Sequence, residues 1–197
     1  MPSDQSAYEA TRDELFKAHN EDPTKVNVNG TEIPYETHYA EQMELYLGKR
    51  APDASDVLKL AICAQHLKRW EVPRSSYPMT KLGYHSWKRD LQKRQASLLG
   101  NVMKHHYSTE ETDRGMELVR KEGLKKGEEE VQILEDVACL VFLDDQFEEF
   151  KEKHDEQKII NILQKTWVKM SPRGHKMALE IPMTEECKAL VGKALEG

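Results

Sequence analysis

Cysteine is scarce in this sequence: three residues in 197, at positions 63, 139 and 187, with no C-x-x-C pair. That excludes a disulfide-stapled small scaffold and a thiolate zinc cage. Cys63 and Cys139 lie inside apolar runs, the setting of buried reduced thiols, so a cytoplasmic protein is expected. Long hydrophobic runs are missing as well. No stretch approaches the roughly 18 to 20 apolar residues that span a bilayer. The N-terminal MPSDQSAYEATRDEL is acidic and polar, without the apolar core of a signal peptide. No membrane partner is expected. Positive charge is in deficit, with 29 Lys and Arg against 35 Asp and Glu and a net charge of -6. This argues against wholesale nucleic-acid affinity and leaves room for a local basic patch. No P-loop, G-x-S-x-G elbow, H-E-x-x-H pair or RNP motif is present.

Strand signals are scarce too. VNVNGTEIP (26–34) alternates weakly around Asn29-Gly30, which suits a tight hairpin turn. Elsewhere the period is helical. Apolar residues recur at three and four spacing over 6–19, 36–48, 54–70, 82–105, 109–122, 129–152, 156–170, 172–180 and 185–195. Ser108 to Glu111 reads as a capping box, and Ser171-Pro172 places a hydroxyl at the N-cap with proline at the first helical position. Asp53 or Ser55 can cap the third helix. Gly48, Pro73, Gly123 and Gly127 read as stops. The expectation is one all-α domain over residues 1–197, with about eight helices.

Three stretches carry side chains with chemical reach. In AQHLKRWEVPRSSYP (64–78), His66, Arg69 and Trp70 share one helical face, and Arg74 and Tyr77 follow in the loop beyond it. In KLGYHSWKRDLQKRQ (81–95), Tyr84, Trp87 and Leu91 form a stripe that suits a core. Lys88, Arg89, Lys93 and Arg94 beside it make this the most basic region of the chain. In KTWVKMSPRGH (165–175), Lys169, Arg173 and His175 flank a helix start whose free N–H groups favour an anion. The run ILEDVACLVFL (133–143) is apolar on nearly every side and suits a central helix. Glu135 and Asp136 are embedded in it, so each needs a cation, a donor or a metal.

His38, His66 and Asp136 follow one another at intervals of 28 and 70 residues. This order resembles the HD-domain metal phosphohydrolases, all-α proteins in which a His, an adjacent His-Asp pair and a distant Asp hold a divalent metal. The resemblance implies an HD-like fold and a metal at those three residues. The chain departs from the pattern at Leu67, which stands where the pair's aspartate would.

A second resemblance covers the chain from NEDP (20–23) to its C-terminus. It is carried by AQHLKRWEVPRSSYPM, GYHSWKRDL, ILEDVACLVFL, FKEKHDEQKIINILQKTW and KMSPRGH. These are similar to an uncharacterised family of bacteria and fungi, a domain of unknown function, some of whose members are called glutamyl-tRNA synthetases. In that family's pattern the position of His38 is often aliphatic, which puts the weight on His66 and Asp136. A class I synthetase needs a nucleotide-binding parallel sheet with HIGH-like and KMSKS-like motifs. KMSPRGH opens like the second but lacks its second lysine, and synthetase activity is not expected.

Together these readings place one polar pocket in an HD-like helical protein. Its wall would be His66, Arg69, Trp70, Arg74 and Tyr77, with Glu135 and Asp136 opposite. Tyr84, Trp87 and Arg89 would flank it, and Lys169, Arg173 and His175 would close it. Such a mixture suits an anionic, phosphorylated small molecule or nucleotide. For a phosphohydrolase, His66, Asp136 and Glu135 would be the catalytic groups and a divalent metal the cofactor. The alternative is a non-catalytic module that binds RNA or protein through residues 68–94. A third reading is a purely structural helical protein.

Overall fold

Residues 4–196 are described in a computed structural model, and they form ten α-helices and one two-stranded hairpin. Helix α1 (Asp4–His19) leads into β1 (Lys25–Val28) and β2 (Thr31–Pro34), which pair antiparallel with Val28 opposite Thr31. Asn29 and Gly30 turn the hairpin with φ of 52° and 86°, the left-handed pair that this turn requires. Helices α2 (Tyr35–Arg50), α3 (Asp56–Cys63), α4 (Lys81–Met103), α5 (Thr109–Val119) and α6 (Glu129–Val141) follow. Then come α7 (Phe147–Glu152), α8 (Glu156–Lys169), α9 (Pro172–Leu179) and α10 (Glu185–Glu196).

Local chemistry sets the starts. Ser55 caps α3 by accepting from Leu58 N–H, and Ser108 and Glu111 close a reciprocal capping box on α5. Ser171 caps α9, with Pro172 at its first turn. Helix α6 is central: α2, α3, α5, α8 and α9 all pack on it. Val131, Leu134, Val137, Leu140 and Val141 are fully buried there, and each such side chain stabilises the fold by about 1.5–3 kcal/mol.

The ends of elements differ from expectation at three places. Gly48 does not stop α2, which runs on to Arg50. The helix expected over 54–70 ends at Cys63, because His66 and Lys68 take φ of 64° and 51° and a right-handed helix cannot pass through them. The helix expected over 129–152 is broken by a π-turn at Phe142–Gln146, which separates α6 from α7. Ten helices therefore replace about eight. Among the described residues, no helix is long and apolar enough to cross a membrane.

Candidate functional site

The segment after α3 is held in an unfavourable backbone by one buried acid. Left-handed φ in non-glycine residues is uncommon and costs free energy unless its surroundings impose it. Here Glu36, in the first turn of α2 and 2% exposed, accepts from the backbone N–H of Lys68 at 2.8 Å and of Trp70 at 3.1 Å. His19 Nδ1 lies 3.4 Å from the same carboxylate, and its Nε2 donates to the Cys63 carbonyl at 2.9 Å. The last helical residue of α1, the first turn of α2 and the end of α3 thus meet at one buried knot. That knot aims His66 and Arg69 inward.

They point into a cavity of about 190 Å³. Tyr39 and Gln65 line it with them, as do Tyr84, Trp87, Lys88, Gln92 and Gln95 of α4, and Lys121 beyond α5. The His66 ring stacks on Tyr39, with centroids 3.9 Å apart and planes at 11°. Arg69 Nη1 donates to His66 Nε2 at 2.8 Å, and the guanidinium lies 4.9 Å from the Trp87 ring centroid. Accepting at Nε2 leaves the imidazole proton on Nδ1 and the ring neutral. Burial pushes the His66 pKa well below its usual 6.5, and Arg69, Lys121 and Lys88 push the same way. Lys121, like His66, has positive φ, at 57°. Two strained residues therefore face one cavity.

Charge around the cavity is one-sided. Lys88 is pulled below its usual value by burial and by Lys169 and Lys121, against a smaller opposing effect of Glu135. Glu135, 4% exposed, pairs with Lys121 and lies 3.6 Å from Lys169 Nζ. Burial raises its pKa, but Lys121, Lys169 and Lys88 outweigh that and hold the carboxyl below the usual range. Arg69, Lys88, Lys121 and Lys169 thus surround one carboxylate and one neutral imidazole.

Tyr84 is 44% exposed and also forms a wall of a larger groove of about 900 Å³. That groove is lined by Lys81, His85, Phe142, Ile162, Lys165, Val168 and Lys169. The π-turn sets Phe142 here, and such turns recur at functional sites.

Other expected site residues lie elsewhere. Asp136 is fully buried, but its neighbours are not those of His66. Its Oδ2 accepts from Arg50 Nε at 2.8 Å and Ser171 Oγ at 2.5 Å. Its Oδ1 accepts from Ser171 N–H at 2.7 Å and Gln132 Nε2 at 3.0 Å. It ties α2 and α6 to the start of α9, so closely that a Cβ at Gly174 would sit 2.8 Å from Oδ1. His38 Nε2 lies 2.5 Å from Asp145 Oδ1, in a separate groove of about 600 Å³. His38, His66 and Asp136 are not brought together. Among the described residues, no three His, Cys, Asp or Glu side chains group to hold a metal. Leu67, at the missing ligand position, is 2% exposed in the core. The donor set does not fit the HD metal.

Arg74 clamps its own loop, donating to the carbonyls of Tyr77, Pro78 and Thr80. Tyr77 donates to Asp90 at 3.0 Å, and Arg89 is exposed on the outer face of α4, 3.8 Å from the same acid. Trp70 anchors the loop through its backbone, while its buried Nε1 has no partner among the described residues. Arg173 is exposed and reaches the Lys49 carbonyl. His175 stacks on Trp167 at 4.1 Å and donates to that residue's carbonyl at 2.8 Å. Of the expected wall, His66, Arg69, Tyr84 and Trp87 share the cavity, with Glu135 and Lys169 beside it. Glu36, Tyr39, Gln92, Gln95 and Lys121 belong to the site and escaped sequence reasoning.

Residues 9–191 match the sequence model of a family described as a domain of unknown function, DUF4202. The chain belongs to this family. No curated protein and no solved structure shows significant similarity to it. The DUF4202 match spans every element from α1 to α10, and so takes in both the His66 cavity and the Asp136 knot.

Proposed function

We propose that this DUF4202 protein is a cytoplasmic, HD-like helical protein that binds a phosphorylated small molecule in the His66 cavity. One observation carries the reading: Lys88, Lys121 and Lys169 crowd around a single carboxylate, Glu135, while Arg69 adds a further cation on His66. Lys88 is lowered first by burial and then by Lys169 and Lys121, since like charges held this close raise one another's cost. A bound phosphate supplies the missing counter-charge and makes charge-assisted hydrogen bonds with the same side chains. Gln92 and Gln95 add neutral amides able to bond hydroxyl groups on the ligand.

Arg69 couples binding to His66. Its guanidinium donates to the Nε2 lone pair. A phosphate that draws Arg69 onto itself frees that nitrogen, which then takes a proton from the water attacking phosphorus and returns it to the alcohol oxygen as the ester P–O bond breaks. Hydrolysis of a phosphate ester is the reaction that this arrangement suits. Asp136, saturated by Arg50 and Ser171, takes no part in it.

Binding to RNA through residues 68–94 has less support, because several of its cations are already partnered within the chain. Lys68 pairs with Glu21 and Glu71, Arg94 with Glu71, and Arg74 with loop carbonyls. The test is thermal stability of the full chain against inorganic phosphate, pyrophosphate and sugar phosphates, followed by phosphate release from any ester that binds. Phosphate compounds should raise the melting temperature, and Lys121→Met should remove the rise. Stabilisation by none of them, or an equal rise in Lys121→Met, defeats the proposal.

A further inference from the structure

We infer that the ligand is a nucleotide, with its phosphate among the cations of the inner cavity and its base in the outer groove against Tyr84. The inference rests on the phosphate reading above and adds what the rest of the ligand must be. The inner cavity, at about 190 Å³, has room for a phosphorylated sugar and little more. The groove outside it is several times larger, at about 900 Å³, and would be superfluous for phosphate or a small sugar ester. Tyr84 lines both spaces, and Lys169 lines the groove while facing Glu135 of the inner cluster. The two spaces therefore adjoin at Tyr84, and the ligand lies across that junction.

The outer walls have the chemistry of a base-binding slot. Tyr84 is exposed and lies 5.7 Å from the His85 ring and 6.0 Å from Trp87, so its ring is braced by neighbours yet has a free face. Phe142 stands in the same groove, with Val168 86% exposed beside it. An exposed tyrosine and valine and a half-buried phenylalanine around one groove offer stacking and apolar contact for a flat, weakly polar ring. Lys81 and Lys165 on the rim add positive charge that attracts an anionic ligand towards the opening. A phosphorylated aliphatic chain would use the valine and leave the aromatic face idle, so a nucleoside phosphate is the better match.

The test is calorimetric titration of the full chain with inorganic phosphate, ribose 5-phosphate, adenosine, and the 5′-monophosphates of adenosine, guanosine, cytidine and uridine. At least one nucleotide should bind about tenfold or more tighter than ribose 5-phosphate, the margin that one base–aromatic stack supplies. Tyr84→Ala should erase that margin, read as the ratio of nucleotide to ribose 5-phosphate affinity in the same variant, and Tyr84→Phe should keep it. Circular dichroism and melting temperature of both variants check the fold, which an exposed side chain should not disturb. If all four nucleotides bind no tighter than ribose 5-phosphate, or if Tyr84→Ala keeps the margin, the inference fails while the phosphate reading stands. If neither phosphate nor ribose 5-phosphate nor any nucleotide binds, both fail.

Discussion

Glu135 and Asp136 are adjacent carboxylates on the same buried helix, and their surroundings make them opposites. Asp136 has every oxygen occupied at short range by Arg50, Ser171 and Gln132, in a closed knot that joins three helices. Glu135 lies beside the cavity, held by Lys121 and near Lys169, where cations outnumber it. A buried charge that is fully paired and hydrogen-bonded is structural cement, and removing one partner leaves the other stranded. A buried charge among surplus cations leaves positive potential for a ligand to use. Consecutive residues on a helix point about 100° apart, which is enough to put one in the framework and the other at the site.

Four substitutions would break or sharpen this contrast. The largest effect is expected from Asp136→Ala. It strands Arg50, whose side chain is 10% exposed, and should cost about 3–5 kcal/mol of stability in urea unfolding. Adding Arg50→Met should recover part of that loss, and no recovery would mean that the knot is not an ion pair at heart. Next is Glu36→Ala, which removes the acceptor of two backbone N–H groups in a strained loop. A loss of about 2–3 kcal/mol should come with faster amide exchange at Lys68 and Trp70, and unchanged protection there would refute its positioning role. Glu135→Gln should cost about 2 kcal/mol, because the amide still accepts from largely buried Lys121 but no longer neutralises it. It should tighten phosphate binding several-fold, and weaker binding would make Glu135 a ligand contact rather than a competing charge.

The smallest effect is in the pH dependence. The folded pKa of His66 lies below 6.5, so as pH falls through 6.5 the unfolded chain takes up a proton that the native chain refuses. Native stability therefore declines with falling pH from about 6.5 down to the folded pKa. Glu135, held below 4.5, adds a second decline that starts only below its own unfolded value. His66→Asn, which tolerates the left-handed backbone, should flatten the upper window and leave the lower one. An unchanged slope between pH 6.5 and 5 would show that His66 titrates normally.

Much of the framework was legible in the letters. The caps at Ser108 and Ser171, the hairpin at Asn29-Gly30 and the central helix with its two acids all stand where their local chemistry put them. Half of the site was legible too. His66, Arg69, Tyr84 and Trp87 lie on neighbouring segments, and their spacing brought them into view as a group. Lys121 and Tyr39 were invisible, since each reaches the cavity from a distant part of the chain. Asp136 and Glu135 could not be told apart, because one burial pattern demands a partner for both and says nothing of which.

By itself, then, the sequence determined what short-range forces decide: helical periodicity, capping, turn chirality and the need to neutralise two acids in an apolar helix. Tertiary structure alone decided where those acids and the basic residues went. It turned Arg74 and His175 back on their own carbonyls, gave Asp136 to Arg50, and bent the chain at His66 against its backbone preference. The physical reason is that a charge takes the partner the packed helices bring within about 3 Å, at separations of 86 residues for Arg50 and Asp136 and 32 for Glu36 and Lys68. No local pattern encodes such pairings, and the cationic cavity is what remained once they were made.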